Sequence, residues 1–282
     1  MQTISDLTQL RQQIKTWKQQ GDTVAFVPTM GNLHQGHISL VEEAKKHANR
    51  VVVSIFVNPM QFGEGEDLDK YPRTLPADSE KLIAVDTDLL FTPTAQTIYP
   101  KGLNAQTYIE VPGVSDNYCG ASRPGHFRGV ATIVNKLFNL VQPDVACFGE
   151  KDFQQLQVIR TMVEDLAMPI EIIGVPTARE TNGLAKSSRN GYLSSAQKQQ
   201  AGIIYQSLLQ AADKLQQQKP LEEVKAFIAE QISQQGLTID YIEIAERSRM
   251  QDAVAGDKKL VILVAALLGQ TRLIDNWQVD LN

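Results

Sequence analysis

Residues 24–44, VAFVPTMGNLHQGHISLVEEA, begin with a strand-like run and continue directly into a helix-like segment. Val24–Thr29 is rich in β-branched and aromatic residues, which favours a strand, and the later apolar residues recur at helical spacing. Between the two segments, Gly31, Asn32 and Gly36 permit a tight turn and a close backbone approach. The first N–H groups of the helix can bind an anion, so this stretch predicts a phosphate site after a sheet strand.

Two of the four histidines of the chain, His34 and His37, lie three residues apart at the start of this predicted helix. Residues with this spacing share one helix face, so both rings can donate to one ligand, such as the phosphate oxygens of a nucleotide. Alternatively, the two histidines bind no ligand, and one caps the helix while the other lies on the surface. A zinc site is disfavoured because the spacing differs from H-E-x-x-H, and neither His47 nor His126 has an evident reason to join the pair.

The rest of the chain alternates strand-like and helix-like segments, which predicts a Rossmann-like, doubly wound α/β fold with a second, smaller α+β domain. An opening helix is predicted from Ile4, Leu7, Leu10, Ile14 and Trp17. The strand-like runs are VAFVPT, RVVVSIFV, DLLFTP, QTYIEV, PDVACFG and IEIIGVP. Long helical stretches follow at residues 196–215 and 221–234. A cluster of Pro and Gly near residues 174–183 predicts two domains, 1–176 and 177–282.

The composition excludes several classes of protein. The 27 Lys and Arg against 32 Asp and Glu give a formal net charge of -5, without a basic tract, so we expect no nucleic-acid partner. The N-terminus lacks the pattern of a signal peptide, and the apolar run at residues 260–268 is too short to cross a bilayer. We therefore expect a cytoplasmic protein without membrane association. Cys119 and Cys147 fit no CxxC or metal-ligand spacing and are interpreted as reduced thiols.

Several ordered motifs resemble one known family. HQGH is similar to the HIGH signature of the nucleotidyltransferase superfamily, which includes class I aminoacyl-tRNA synthetases, and AKSSRN stands where that superfamily has its KMSKS-type loop. The surrounding sequence motifs narrow the resemblance to the pantoate-β-alanine ligase (pantothenate synthetase) family. These motifs are PTMGNLHQGH, FVNPMQF, YPRT, SRPGHFRGV, FGEKDFQQL, GLAKSSRNGYL and TRLIDN. They cover almost the whole chain.

This resemblance implies a two-step ligation. ATP and (R)-pantoate would give pantoyl adenylate and pyrophosphate, and the amine of β-alanine would then attack the activated carbonyl to give pantothenate and AMP. Both nucleophiles come from substrates, which fits the lack of a nucleophile elbow or catalytic triad in the sequence. Mg²⁺ is expected as the partner of the ATP phosphates, without a dedicated protein metal site. The resemblance also implies a homodimer.

The resemblance places the nucleotide-binding residues in four segments, and His34, His37 and Lys151 are expected to be catalytic. The first nucleotide-binding segment is Met30, Gly31, Asn32, Leu33, His34, Gln35, Gly36 and His37. The others are Gly149, Glu150, Lys151 and Asp152, then Ala178, and then Lys186, Ser187, Ser188 and Arg189. Pantoate and β-alanine are expected at Asn58, Gln61 and Gln155.

Each of these segments also has a structural interpretation. Asn58 and Gln61 could cap a turn, the tetrad at residues 149–152 could be an exposed turn, and the serines of KSSR could cap a helix. Two positions depart from the family pattern, which usually has an apolar residue at Lys186 and a branched one at Ala178. His126 could face substrate, but a Pro-Gly loop before a helix predicts the same letters, and we favour the structural interpretation.

Three other functions have to be weighed against the ligase. A nucleotidyltransferase that adenylates a phosphate ester would need an anion pocket rather than neutral amides at Asn58, Gln61 and Gln155. A nucleotide-binding module without chemistry would not need paired histidines. An aminoacyl-tRNA synthetase would need a basic anticodon-binding region, which this chain lacks.

Overall fold

Val24–Thr29 forms an inner strand of a six-stranded parallel sheet in the computed structural model, which describes residues 1–281. The strands are β1 (Gln2–Ile4), β2 (Val24–Thr29), β3 (Arg50–Ile55), β4 (Leu89–Phe91), β5 (Val145–Gly149) and β6 (Glu171–Val175). Their order across the sheet is β1-β4-β3-β2-β5-β6, and every pairing is parallel. The strands run almost uniformly apolar because both faces of the sheet are covered by helices. The predicted Rossmann-like, doubly wound fold is confirmed.

The switch in strand order lies between β2 and β5, since the chain builds outward from β2 on one side and from β5 on the other. These two strands pair at only two positions, Ala25 with Val145 and Phe26 with Ala146, so their carboxyl ends diverge. Ligands of open α/β sheets bind in the crevice at this point. The predicted phosphate turn follows β2, and the tetrad at residues 149–152 follows β5.

Helices cover this sheet and connect its strands. They are α1 (Leu7–Gln19), α2 (Gln35–His47), α3 (Leu75–Ala84), α4 (Ala95–Ile98), α5 (Cys119–Ser122), α6 (His126–Val141) and α7 (Phe153–Asp165). Short 3-10 turns lie at Pro59–Gln61, Leu103–Ala105 and Glu150–Asp152. The largest apolar cluster packs α1, α6 and α7 against one face of the sheet, while α2 covers the opposite face.

The remaining chain forms a second, antiparallel sheet with its own helices. It contains a 3-10 turn at Ser188–Tyr192, then α8 (Ser195–Ala201), α9 (Ile203–Gln216), α10 (Leu221–Gln234), β7 (Thr238–Glu246), β8 (Gln251–Asp252), β9 (Lys259–Leu268) and β10 (Thr271–Asp280). The strand order is β10-β9-β7-β8. Side chains of Val261 and Leu263 join the apolar cluster of the first sheet, so the two parts pack directly together. The exact domain boundary at 176/177 stays a prediction.

Three predicted elements are wrong in detail. Ile4 lies in β1 rather than in the opening helix, because the Asp6 carboxylate caps α1 by accepting from two backbone N–H groups. The run QTYIEV forms no strand, since residues 106–111 lie over α6 and Ile109 donates its N–H to the Thr132 hydroxyl. The helix expected at residues 196–215 breaks at Gly202, where a Cβ would lie 2.8 Å from Asn182. Among residues 1–281, no helix is both long and apolar enough to cross a bilayer.

Candidate active site

The two histidines of HQGH cap helix α2 reciprocally. His34 Nδ1 accepts from the Gly36 N–H at 3.1 Å, and His37 Nδ1 accepts from the His34 N–H at 3.3 Å. This is the arrangement of a capping box, with imidazoles in place of the usual hydroxyl and carboxylate. The ring centroids lie 4.1 Å apart. The helix-cap interpretation and the ligand interpretation are therefore compatible, because each cap uses only one ring nitrogen.

The caps fix the tautomers of both rings. A ring nitrogen that accepts a hydrogen bond cannot carry the proton, so each neutral ring carries it on Nε2. Burial and the nearby Lys151 ammonium lower the pKa of His34 to about 4. Burial and the neighbouring His34 lower the pKa of His37 to about 3. At neutral pH the site thus holds two uncharged imidazoles, each with one free Nε2–H donor.

A buried carboxylate that sequence reasoning missed holds the turn before α2. Asp78 is fully buried and accepts from the Asn32 N–H at 2.9 Å, the Leu33 N–H at 2.7 Å and the Thr74 hydroxyl at 3.1 Å. The backbone turns sharply at Gly31, where φ is +84° and a Cβ would lie 3.0 Å from Ile55. Asp78 lies 45 residues after Leu33 in the sequence. It therefore fixes, from a distant segment, the turn that positions the histidines.

Gly36 leaves room for the His34 ring. A Cβ at this position would lie 2.9 Å from Cε1 and 3.0 Å from Nδ1 of that ring, and 3.6 Å from the Ala178 Cβ. Ala178 therefore lies against the start of α2, although it comes from the chain after β6. Its carbonyl accepts from the Lys186 N–H at 2.8 Å, which joins it to the KSSR loop.

The amides after β3 have different roles. Asn58 is buried, and both atoms of its amide are engaged: Nδ2 donates to Gln61 Oε1 and the Gly129 carbonyl, and Oδ1 accepts from the Tyr99 hydroxyl at 2.7 Å. It also caps the 3-10 turn by accepting from the Met60 N–H. The turn-capping interpretation thus describes Asn58. Its amide orients Gln61, whose own Nε2 donates to the Met30 thioether at 3.3 Å.

The turn after β5 is held by the second sheet. Asn276 Nδ2 donates to the backbone carbonyls of Glu150 and Lys151, both at 2.9 Å. Asn276 belongs to the TRLIDN motif, and this contact gives that motif a local role. The Lys151 ammonium lies 3.7 Å from the Asp152 carboxylate. Burial raises the pKa of Asp152, but the positive charges of Lys151 and Arg189 more than offset it and keep that pKa below its usual value.

The KSSR loop closes over the turn before α2. The Ser188 hydroxyl donates to the Asn32 carbonyl at 3.1 Å, so the two segments touch directly. Arg189 forms a two-point ion pair with Asp67, at 3.1 and 2.8 Å. Lys186 pairs with Glu180 at 2.9 Å. The two basic side chains of this loop are therefore held by carboxylates at the rim of the site.

Most of the predicted site residues line one cavity of about 240 Å³ at the switch point of the parallel sheet. They are Met30, His34, Gly36, His37, Asn58, Gln61, Gly149, Lys151, Asp152, Gln155, Ala178, Lys186, Ser187, Ser188 and Arg189. Tyr71, Arg123 and His126 also line it and were not among the predicted site residues. A second cavity of about 430 Å³ adjoins the first and shares Arg123, His126 and Lys151 with it.

Five predicted residues do not line this cavity. They are Gly31, Asn32, Leu33, Gln35 and Glu150. Leu33 is buried in the apolar cluster under α2, and Gln35 is exposed to solvent. Gly31 and Asn32 shape the turn through positive φ angles of 84° and 49°. Within residues 1–281, no group of three His, Cys, Asp or Glu side chains is arranged to hold a metal ion.

Three partly buried histidines predict an acid-dependent loss of stability. His34, His37 and His126 have folded-state pKa values of about 4, 3 and 4, against 6.5 for a free ring. Between these values the unfolded chain binds more protons, so the free energy of unfolding rises with pH, by up to about 1.36 kcal/mol per pH unit for each ring. This stability is present above pH 6.5 and is lost as the pH falls below it.

Urea unfolding at about pH 7, 6 and 5 measures this effect. The free energy of unfolding of a His126→Asn variant should depend less steeply on pH than that of the parent. An unfolding free energy that stays constant from about pH 6.5 to about pH 5 would contradict the neutral state of the three rings.

Comparisons with known proteins match nearly the whole chain to one family. A profile of the family described as pantoate-beta-alanine ligase matches residues 2–278. The pantothenate synthetase of Shewanella halifaxensis is 60% identical over 282 residues, which is 100% of both chains. That of Colwellia psychrerythraea is 58% identical over 287 residues, again covering 100% of both.

Solved structures give the same result. The pantothenate synthetase of Thermus thermophilus superimposes with a TM-score of 0.92 at 43% identity, over 98% of this chain and 99% of that one. The pantoate-beta-alanine ligase of Francisella tularensis, solved in complex with beta-gamma ATP and beta-alanine, gives a TM-score of 0.82 at 36% identity, over 98% and 97%. The chain therefore belongs to the pantoate-beta-alanine ligase family.

Proposed function

We propose that this protein catalyses the ATP-dependent condensation of (R)-pantoate with β-alanine, through pantoyl adenylate, to give pantothenate, AMP and pyrophosphate. The observation that carries the proposal is the pair of neutral imidazoles, His34 and His37, in the same cavity as Lys151 and two glutamines. The same crevice therefore contains side chains that can donate hydrogen bonds to phosphate and side-chain amides that can bind a hydroxy acid. Mg²⁺ bound to ATP as part of the substrate would neutralise charge on the pyrophosphate.

In the first step, a carboxylate oxygen of pantoate attacks the α-phosphorus of ATP and pyrophosphate leaves. Negative charge builds on the phosphoryl oxygens, and the Nε2–H groups of His34 and His37 donate to them. Such donors stabilise the transition state well because their positions are fixed before the reaction by the caps on α2. The Lys151 ammonium adds a positive charge beside the same phosphates.

In the second step, the neutral amine of β-alanine attacks the carbonyl carbon of pantoyl adenylate, AMP leaves with the bonding electron pair, and the proton lost from the nitrogen passes to the departing AMP phosphate or to solvent. The adenylate already carries a good leaving group, so the protein has to hold two substrates in reacting geometry rather than supply a nucleophile. Gln61 and Gln155 hold the pantoyl group by hydrogen bonds to its hydroxyls. Asn58 acts by orienting the Gln61 amide.

The KSSR loop contributes to the nucleotide site. Ser187, Ser188 and Arg189 can bind phosphate oxygens, and the loop already touches the turn before α2 through Ser188. Asp67 holds the Arg189 guanidinium in an ion pair. To bind phosphate, the Arg189 guanidinium has to exchange this carboxylate for a phosphate oxygen.

Pyrophosphate exchange tests the proposed reaction. With MgATP, pantoate and labelled pyrophosphate, but no β-alanine, label should enter ATP because adenylate formation is reversible. Addition of β-alanine should then give pantothenate and AMP in equal amounts. A nucleotide-binding module without chemistry would release no pyrophosphate when pantoate is added, and a protein that adenylates a phosphate ester would not respond to pantoate.

Gln155→Ala should weaken the use of pantoate far more than the binding of ATP. A site built to hydrogen-bond hydroxyls is left with unpaired polar groups when one partner is removed, which costs about 1–3 kcal/mol. The measurement is KM for pantoate beside the Kd for ATP. The neighbouring Gln154→Ala is the matched comparison: Gln154 binds the backbone of Cys119 and Val114, so its loss should lower stability instead. Equal losses for pantoate and ATP in Gln155→Ala would contradict the assignment.

Lys186→Met should have a modest effect. The Lys186 ammonium is paired with Glu180, and its contact with Ala178 uses the backbone N–H, which methionine also has. We expect nearly unchanged ATP affinity and a fall in turnover of less than about tenfold, or about 1.4 kcal/mol of barrier. Glu180→Gln, which frees the ammonium, is the control. A hundredfold loss in Lys186→Met would show that the ammonium leaves Glu180 to act on phosphate.

The arrangement of the protein in the cell is also a proposal. We propose a homodimer, located in the cytoplasm, with a nucleotide- and pantoate-binding domain at 1–176 and a smaller domain at 177–282 that carries the KSSR loop. Sedimentation equilibrium of the purified protein measures the oligomeric state. A monomer mass at micromolar concentration would reject the dimer.

A further inference from the structure

His126 bridges the Gln61 turn and an arginine at the edge of the site. His126 Nδ1 lies 2.9 Å from the Gln61 carbonyl, and His126 Nε2 lies 3.0 Å from Arg123 Nη1. The Arg123 guanidinium in turn binds both carboxylate oxygens of Glu66, at 2.7 and 2.6 Å. Four residues, Glu66, Arg123, His126 and Gln61, thus form one continuous chain of hydrogen bonds.

The chemistry of arginine fixes the direction of this chain. A guanidinium stays protonated and has no acceptor, so Arg123 must donate and His126 Nε2 must accept. The proton of the neutral ring is then on Nδ1, where it donates to the Gln61 carbonyl. The pKa of His126 is lowered to about 4 by burial and by the charge of Arg123, which agrees with this neutral ring.

We propose that Glu66, Arg123 and His126 form a positioning chain that holds the Gln61 turn in the orientation needed to bind pantoate. The proposal rests on the function proposed above. Asn58 donates to the side-chain amide oxygen of Gln61, and His126 donates to the backbone carbonyl of the same residue. With both ends fixed, the Gln61 Nε2 group, whose partner is a weak thioether acceptor, stays directed into the cavity.

The position of the carboxylate supports a role beyond packing. Glu66 and Arg123 are partly buried, with side-chain exposures of 25% and 17%, and the ion pair has the two-point geometry that fixes a guanidinium plane. Glu66 also precedes Asp67, which holds Arg189 of the KSSR loop. The segment Glu66–Asp67 therefore contacts both sides of the site: Glu66 binds Arg123 on the pantoate side, and Asp67 binds Arg189 of the KSSR loop.

The chain is tested by variants of His126 that separate hydrogen bonding from packing. Asn can place an amide N–H near the position of Nδ1, whereas Leu fills similar space without a donor. We expect His126→Ala and His126→Leu to raise KM for pantoate by about tenfold, as for loss of one buried hydrogen bond, with KM for ATP changed by less than about twofold. His126→Asn should recover most of the loss. Recovery by Leu and not by Asn would show a packing role and overturn the proposal.

Glu66→Gln provides a second test at a position outside the apolar core. Loss of the carboxylate charge weakens the hold on Arg123, so KM for pantoate should rise about threefold or more. Glu64→Gln, on the same loop but exposed, is the matched control and should behave as the parent. Thermal melting checks that each variant is folded. Unchanged pantoate KM in both Glu66→Gln and His126→Ala would overturn the proposal, whereas absence of pantoate-dependent exchange in the parent would instead reject the proposed function.

Discussion

His37→Ala is expected to lower pantoate-dependent pyrophosphate exchange by about a hundredfold or more, which corresponds to the loss of one fixed donor in the transition state. Nε2 of the neutral His37 ring carries its N–H proton, because Nδ1 accepts from the His34 N–H. Alanine removes that donor and the cap together. The cap contributes about 1 kcal/mol to stability, so the protein should still fold.

Two further variants make this result specific. His34→Ala should impair the same step, with a larger loss of ATP binding, because, in addition to burial, the charges of Lys151 and of Lys186 in the KSSR loop both act on the His34 ring and lower its pKa. His47→Ala, on the exposed end of the same helix, should exchange pyrophosphate as the parent does. If His37→Ala exchanges normally and yet makes no pantothenate, His37 acts in the amide-forming step, and the role proposed for the first step is wrong.

The strands and turns of the site could be predicted because they are local. A β-branched run followed by glycines and a helical repeat specifies a strand, a turn and a helix within about 20 residues. The parallel sheet then brings the carboxyl ends of β2 and β5 to one crevice, which is why His34 and Lys151 meet although they are far apart in sequence. The motif order was sufficient to place most of the cavity.

The contacts of the supporting residues could not be predicted, because most of their partners lie far away in the sequence. Asp78 lies in the first turn of α3, where an acidic residue is ordinary, and nothing in its neighbourhood shows that it binds the turn before α2. Asn58 follows a strand, and its sequence does not reveal that both atoms of its amide would be engaged by the protein. His126 has the same difficulty, since its partners are Gln61 and Arg123. Only the folded structure distinguishes a residue that binds substrate from one that holds such a residue.

Gly129 is the second position at which a single change should have a large effect. Helix α6 crosses the 3-10 turn of Gln61 so closely that a Cβ at Gly129 would lie 2.4 Å from the Met60 carbonyl oxygen and 2.6 Å from the Gln61 Cα. Both of these atoms belong to the backbone, so the clash cannot be relieved by a change of side-chain rotamer. The Gly129 carbonyl also accepts from Asn58 Nδ2 at 3.1 Å, which ties the helix to the same turn.

Gly129→Ala must therefore displace the Gln61 turn or the helix by about 1 Å, and a shift of this size can lower kcat/KM by roughly a hundredfold. We expect that loss for pantoate, with ATP binding retained, because Gly129 lies against the Gln61 turn rather than the turn before α2. Overpacking should also cost about 1–3 kcal/mol of stability, measured by urea unfolding. Asn139→Ala, at an exposed position of α6, is the control for a change to alanine in this helix. Parental kcat/KM for pantoate in Gly129→Ala would mean that binding of this substrate does not depend on the position of the Gln61 turn.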